Sequence, residues 1–494
     1  MAGHGDAATF YNEYLWWENY NDPNRVPSTI GEINQSYGLT PFVLPAPVSP
    51  PDPLPVPELG PPVQGVAERR QVVEHQPTED ELALLERLPG LGNNVHGGPN
   101  WKGVKHLGSG AGGSVCLWEY IGPPAGRPPT PHDKVVIKLA HYTNTSSLRE
   151  RNIFWDMGMS GSHHIVKMLD TDNIIDEEAA DAQGLDPVWI GFVRRIVLEY
   201  CPSGTLEDLK DLRIQRNVRL EELTLWKIFD CLVDGCAVME HRMELTFDVQ
   251  GNAHAGYSIG NHPDDPGVLV HFDLKPPNIM VMRNEAVHRD TPLCKVGDFG
   301  LALYRRRDLA TVHPHDAWDV NEELRRRGTL EYLAPEQFSP RWNHSDYMTS
   351  PVCGKFGTQT NVWGIGQIMY ETHVDHTRPF TPNPLHGNPA TGRAFGTEIQ
   401  ATSYSAMFRD TIQECLYEIP TQRPTLQVLK DRCKRSITAL ENAGVAPEGW
   451  QDLERLEPLT ALAAETDAAL AREDAGQPVA PVGGNRRGRF RKYG

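Results

Sequence analysis

The chain lacks any uninterrupted apolar run long enough to span a bilayer, which needs about 20 residues. Its eight cysteines are scattered, with no C-x-x-C pair. That spacing argues against zinc and against a disulfide framework, and it suits a reducing compartment. Basic residues are outnumbered, 47 against 65 acidic, for a net charge of −18. The protein as a whole is therefore not expected to bind polyanions. The start, Met1 to Asp6, has neither a basic stretch nor an apolar core, so no signal peptide is expected. A length of 494 residues easily buries a core.

The chemistry is concentrated in the middle of the chain. His271-Phe272-Asp273-Leu274-Lys275-Pro276-Pro277-Asn278 sets a carboxylate, an ammonium and an amide on one short loop. Asp298-Phe299-Gly300 follows with a second carboxylate. Phosphoryl transfer needs such parts: a base for a hydroxyl, a cation for the moving group and oxygen ligands for Mg²⁺. Upstream, Gly108-Ser109-Gly110-Ala111-Gly112-Gly113-Ser114-Val115 fits G-x-G-x-x-G-x-V. Glycines let a backbone approach phosphate oxygens closely, although alone the pattern is a common accident and a surface hairpin is its default reading. A strand is expected next, at Val115-Cys116-Leu117-Trp118, where a dinucleotide fold would want a helix. Val135-Val136-Ile137-Lys138 then ends a β-branched run in lysine. Glu150 is its candidate partner, only twelve positions on. Ser147-Leu148-Arg149-Glu150 also fits a capping box, in which the glutamate would serve its own helix instead.

In this order the motifs resemble the protein kinase family, over about residues 100 to 440. Further segments match: Ile196 to Gly204 as last small-lobe strand and hinge, Gly328 to Glu336 as the end of an activation segment, Thr360 to Gly366 in the central helix, and Pro420 to Pro424 near the domain end. The resemblance implies an α+β, bilobal fold. A small β-rich lobe is expected over 101–200 and a helical lobe over 201–440, with ATP between them. It is flanked by an N-terminal extension, 1–100, and a C-terminal one, 441–494.

The site implied is specific. Gly108, Ser109, Gly110 and Gly113 would cover the phosphates, and Lys138, held by Glu150, would contact them. Val115, Val136 and Met280 would sandwich adenine, Leu198 would be the gatekeeper, and the backbones of Glu199 and Cys201 would meet the base. Asp273 would orient the acceptor hydroxyl, Lys275 would neutralise the transferring group, and Thr329 would bridge the two. Mg²⁺ would sit on Asn278 and Asp298. Lys275 and Thr329 are of the serine/threonine type, so ATP, Mg²⁺ and protein Ser/Thr hydroxyls are the expected reactants. Glu336 and Arg423 would form a buried ion pair, and Phe154, Met168, His271 and Phe299 an internal apolar stack.

Two departures occur together. Phe272 stands where the family usually has arginine, and Asn361 where it usually has aspartate. In the family the two groups lie close, so losing both charges avoids an uncompensated buried one. Asn361 keeps a carbonyl oxygen for the loop backbone. Phe272 cannot clamp an activation-loop phosphate. That segment carries Arg305-Arg306-Arg307 and Arg325-Arg326-Arg327, which would pair with Asp316, Asp319, Glu322 and Glu323 or stay solvated. Its hydroxyls are Tyr304, Thr311, Thr329 and Tyr332. The departures also suit a pseudokinase scaffold.

In the flanks, an aromatic cluster from Phe10 to Trp17 suits packing. Nine prolines from Pro45 to Pro62 imply an extended spacer. A helix is expected to open at Thr78 to Glu81 and another near Leu453 to Ala471. Leu225, Ile228, Phe229, Leu232, Cys236 and Met239 have the spacing of a core helix. Phe247 to Gly267 reads as an inserted loop, whose His254 and His262 are poorly spaced for metal. The tail residues Arg486, Arg487, Arg489, Arg491 and Lys492 read by default as a solubilising tail, with nuclear import or nucleic-acid contact as the alternative. An intracellular protein, cytoplasmic or nuclear and without membrane attachment, is expected.

Overall fold

In the computed structural model the described residues lie within 100–445, apart from the stretches 123–132, 257–266, 306–323, 339–349, 374–398 and some shorter ones. The N-terminal aromatic cluster, the proline spacer, the helices expected near Thr78 and Leu453, and the basic tail lie outside them. The chain divides into two compact units. Among the described residues one comprises 100–152 and 167–200, the other 153–166 and 201–445.

The first unit is built on a five-stranded antiparallel sheet: β1 (Trp101–Gly110), β2 (Gly113–Tyr120), β3 (Lys134–Leu139), β4 (Met168–Thr171) and β5 (Arg195–Glu199), in the order β1-β2-β3-β5-β4. Helix α1 (Thr145–Gly158) follows β3, and a short α2 (Glu177–Gln183) precedes β5. Strand alternation explains the core. Val135, Ile137 and Leu139 point one way, to Trp101, Cys116, Trp118 and Val197. Val136 and Lys138 necessarily point the other. Cross-strand pairing of Lys138 with Val115, and of Val136 with Leu198, puts these four residues on one face of the sheet.

The second unit is mainly helical: α3 (Leu206–Arg216), α4 (Glu222–His241), α5 (Pro335–Phe338), α6 (Thr358–His373), α7 (Ala406–Cys415) and α8 (Leu426–Asn442). The core helix expected from Leu225 to Met239 is α4, buried on nearly every side, with Trp226 and Phe229 stacked 5.8 Å apart. It stops at Arg242, whose left-handed backbone (φ 63°) turns its N–H to Val238 O. Arg242 Nε also donates to Asp156 Oδ2 at 2.8 Å. Short strand pairs carry the functional loops: β6 (Thr246–Phe247) with β7 (Ala253–His254), β8 (Val268–Val270) with β11 (Leu303–Arg305), and β9 (Ile279–Asn284) with β10 (His288–Val296). Residues 153–166, expected with the small lobe, belong to this unit. Val166 N–H donates to Val296 O and Val296 N–H to His164 O, at 2.9 and 2.8 Å. All eight cysteines are buried and unbridged. Among the described residues no helix is long and apolar enough to cross a membrane.

Candidate active site

In the helical unit, the loop between β8 and β9 is held from below. His271 N–H donates to Asn361 Oδ1 at 3.0 Å, and Asn361 Nδ2 donates to Leu269 O at 2.9 Å. The His271 ring is fully buried, and burial lowers its pKa from the usual value. A neutral ring accounts for its two contacts: Nε2–H donates to Gly297 O at 3.0 Å, and Nδ1 accepts from Asp273 N–H at 3.2 Å. Its face lies 5.2 Å from Phe299, which lies 5.1 Å from Phe154. These three members of the expected apolar stack therefore meet. Met168 belongs to β4 in the other unit.

Above this support, Asp273 is buried and each of its oxygens is occupied. Oδ1 accepts from Thr329 Oγ1 at 2.7 Å and from Thr329 N–H at 3.0 Å. Oδ2 accepts from Asn278 Nδ2 at 3.0 Å and lies 2.9 Å from Lys275 Nζ. Lys275 Nζ donates to Thr329 Oγ1 at 2.6 Å, which closes the ring. Asn278 Nδ2 also donates to Asp273 O at 2.8 Å. With its nitrogen engaged there, Asn278 offers Oδ1 as an acceptor. Asp298 adopts a left-handed conformation (φ 57°) at the end of the strand-to-turn passage from β10, and Phe299–Leu301 forms a 3₁₀ turn after it. An amide oxygen and a carboxylate are hard donors, the chemistry Mg²⁺ takes.

Phe272 also has a left-handed backbone (φ 61°), and its ring packs edge-on to Phe356 at 5.6 Å. Its carbonyl faces Gly328: a Cβ there would lie 2.3 Å from Phe272 O. The activation segment thus returns to the loop at a glycine. It is anchored by a residue the sequence reading did not single out. Gln337 Nε2 donates to Leu324 O and Arg327 O, at 3.2 and 2.7 Å, while its Oε1 accepts from Ala334 N–H at 3.0 Å. Buried Arg325 donates from Nε to Gln337 O at 3.1 Å. Arg305 is buried with its guanidinium 5.8 Å from the Phe356 ring centre. The solvated reading of the arginine runs fails for these two. Tyr304 gives its hydroxyl to Asp156 under the Arg242 guanidinium. Thr311, the other arginines of the two runs except Arg327, and the four acidic candidates for pairing lie outside the described residues.

Arg423 and Glu336 form a bidentate pair at 3.0 and 2.8 Å, both side chains fully buried. Arg423 also donates to Gln359 O and Tyr417 O, at 2.7 and 2.8 Å, so its charge is well satisfied.

In the β-rich unit, Lys138 Nζ lies 2.8 Å from Glu150 Oε1, with both side chains largely buried. Helix α1 begins at Thr145, so Ser147 lies inside it and Glu150 in its second turn. The capping-box reading gives way to the ion pair. Gly108, Ser109 and Gly110 pair with Val115, Ser114 and Gly113 across the β1–β2 hairpin. Its tip, Ala111 and Gly112, lies outside the described residues. Gly113 is obligatory for a backbone reason: φ is 148°, and a Cβ would lie 2.1 Å from Leu139 O. Glu199 Oε1 accepts from Lys167 N–H at 2.8 Å. Cys201 and Met280 fall in the helical unit, where Met280 on β9 bridges to Thr205.

The loop carrying Asp, Lys and Asn around one threonine hydroxyl in one unit, and the strand lysine paired with a helical glutamate in the other, are each features of the protein kinase class. Comparison with known proteins agrees. The protein kinase domain model matches residues 264–433. The chain is 25% identical over 169 residues to the serine/threonine-protein kinase VIK of Arabidopsis thaliana, covering 34% of this chain and 33% of that one. It is 24% identical over 242 residues to the G2-specific protein kinase nim-1 of Neurospora crassa (47% and 24%). It is 26% identical over 242 residues to the protein kinase domain-containing protein ppk38 of Schizosaccharomyces pombe (48% and 30%). The matches span about a quarter to a third of these relatives' lengths. The chain carries a eukaryotic-type protein kinase domain of α+β, bilobal fold.

Proposed function

We propose that the chain is an active serine/threonine protein kinase that moves the γ-phosphoryl group of ATP to protein Ser or Thr hydroxyls. The observation that carries this is the closed ring of Asp273, Lys275 and Thr329 with Asn278. Asp273 is the proposed base: it would orient the acceptor hydroxyl and receive its proton as the new O–P bond forms and the bond to ADP breaks. Lys275 would balance charge on the transferring group. Lys138, fixed by Glu150, is the proposed contact to the α- and β-phosphates. Asn278 and Asp298 are the proposed Mg²⁺ ligands, and the ion bound there would neutralise phosphate charge. Val115, Val136, Leu198 and Met280, with the Glu199 and Cys201 backbones, are proposed for adenine. Lys275 and Thr329 support the Ser/Thr assignment through their resemblance to that branch.

A scaffold with little turnover is the second reading, favoured by the neutral pair Phe272 and Asn361. Radiolabel transfer from Mg·ATP to generic protein substrates separates the two. Wild type should incorporate label into Ser or Thr, and Asp298→Ala should lose it. Equal incorporation by wild type and Asp298→Ala would refute the enzyme reading and leave the scaffold.

A further inference from the structure

We propose that His164, Cys231 and His288 form a zinc site that braces the strand leading to Asp298 against helix α4. The three come from separate elements of the helical unit: the segment after α1, α4 and β10. One ligand atom from each lies within 4.8 Å of the others. Cys231 Sγ and His288 Nε2 are 3.6 Å apart. Bonds of about 2.3 Å to sulfur and 2.05 Å to nitrogen, at a tetrahedral angle, put two zinc ligands about 3.6 Å from each other. The contact already has the length of a ligand edge.

Each imidazole is set up to bind through Nε2. His164 Nδ1 sits 2.8 Å from Glu244 Oε1, and Glu244 is held in turn by Ser162 Oγ at 2.5 Å and His163 N–H at 3.2 Å. His288 Nδ1 sits 3.1 Å from Thr291 Oγ1. Oxygen partners on the far nitrogen are what orient metal-bound histidines. His164 is only 5% exposed, and its Nε2 makes no hydrogen bond of ordinary geometry, although the Cys231 thiol is close enough to interact with the ring. Asp234, 3.9 Å from His164 Nδ1, is taken by Lys430 at 2.6 Å and stands outside the site. The three side chains fill three of the four positions of a tetrahedral zinc and would leave the fourth to water. Thiolate and imidazole together select zinc over Mg²⁺ or Ca²⁺. His288 is only partly buried, which leaves an entry path.

The site runs against the expectation from cysteine spacing, which speaks only to ligands close along the chain; these are 67 and 57 positions apart and meet only in the fold. The consequence is structural. The segment around His164 already exchanges backbone hydrogen bonds with Val296, two residues before Asp298. A metal at this point would lock the same junction.

The test uses the full chain, purified without chelator or added metal and then desalted. Elemental analysis should find about one zinc per chain. Cys231→Ser and His288→Gln should each lower it by roughly tenfold or more. Metal-free wild type titrated with Co²⁺ should develop a thiolate-to-cobalt charge-transfer band, absent in Cys231→Ser. Zinc lost on desalting together with no cobalt–thiolate band would overturn the proposal. So would unchanged zinc in both variants, an adventitious ion only. If the variants do not fold, the wild-type cobalt spectrum decides alone. None of these readouts depends on kinase activity.

Discussion

Asn361→Asp restores the carboxylate that the family usually carries in its central helix, without the arginine that usually accompanies it. Asn361 is 1% exposed and works with both ends: Oδ1 accepts from His271 N–H and Nδ2 donates to Leu269 O. An ionised carboxylate in its place would still accept from His271. Its second oxygen would face the Leu269 carbonyl, acceptor against acceptor. Leaving that buried carbonyl unpaired costs about 1–3 kcal/mol. The uncompensated charge brings the total to about 3–5 kcal/mol. Protonation relieves both terms, because a neutral carboxyl can donate to Leu269 O as the amide does. The folded-state pKa of the new carboxyl should therefore rise above its unfolded value of about 3.9. The variant is then nearest to wild type at low pH and loses stability as pH rises through the raised pKa. Urea unfolding of the full chain, compared with wild type at each pH, should show a deficit of about 1 kcal/mol near pH 5, growing to about 3–5 kcal/mol near pH 8. Adding Phe272→Arg should recover at least about 1 kcal/mol of the pH 8 deficit beyond additivity. A deficit below about 0.5 kcal/mol at pH 8, or one independent of pH, would refute the buried-charge argument. A coupling energy near zero would refute the pairing of the two substitutions.

Four further outcomes follow from the geometry. Lys138→Met should abolish phosphoryl transfer and cost up to about 3–5 kcal/mol of stability, read by denaturant unfolding, because it leaves the buried Glu150 carboxylate without its lysine. Arg423→Met should cost about 3–5 kcal/mol by leaving Glu336 charged and unpartnered, read by denaturant unfolding, and a smaller loss than from Thr425→Ala, which only removes the N-cap hydroxyl that accepts from Val428 N–H at the start of α8, would contradict it. Burial raises the Glu371 pKa to about 7, against the pull of Lys210 and Tyr332; wild type should therefore lose on the order of 3 kcal/mol between pH 4.5 and 8, and Glu371→Gln should lack that part of the profile. Thr311→Ala and phosphatase treatment should leave most activity intact, because Phe272 offers no cation to a phosphate, whereas Thr329→Ala should slow turnover directly; activity restored only by rephosphorylating Thr311 would refute this.

What was legible in the sequence was chemistry that lies close along the chain. Asp273, Lys275 and Asn278 share one loop, so their meeting needs no knowledge of distant packing. The Lys138–Glu150 pair was legible for a similar reason: a strand and the next helix must lie side by side, whatever the rest does. The capping box at Ser147 competed because the start of α1 is a local matter, and no residue there marks Thr145 rather than Ser147 as the first turn. Illegible were contacts whose partners only tertiary packing brings together. Gln337 reads as an ordinary polar helix residue, yet its amide ties three backbone groups. Arg325 reads as one of a basic run, yet it is fully buried. His164, Cys231 and His288 carry no shared spacing at all.

The catalytic loop has a further property that follows from these contacts. Its shape is fixed by neutral hydrogen bonds from Asn361 and His271, by the Phe272–Phe356 edge contact, and by Gly328 against the Phe272 carbonyl. None of these requires an added charge. In a kinase whose loop arginine must meet a phosphate, the order of the activation segment is conditional on modification. Here the return of that segment is tied by Gln337 and Arg325, both buried and both already engaged with backbone carbonyls. Bonds buried in this way are little screened by salt, unlike an exposed phosphate clamp. A kinase domain so built should be ordered at this loop without modification, and if the proposed activity holds, its control would act elsewhere, on nucleotide access or on substrate delivery.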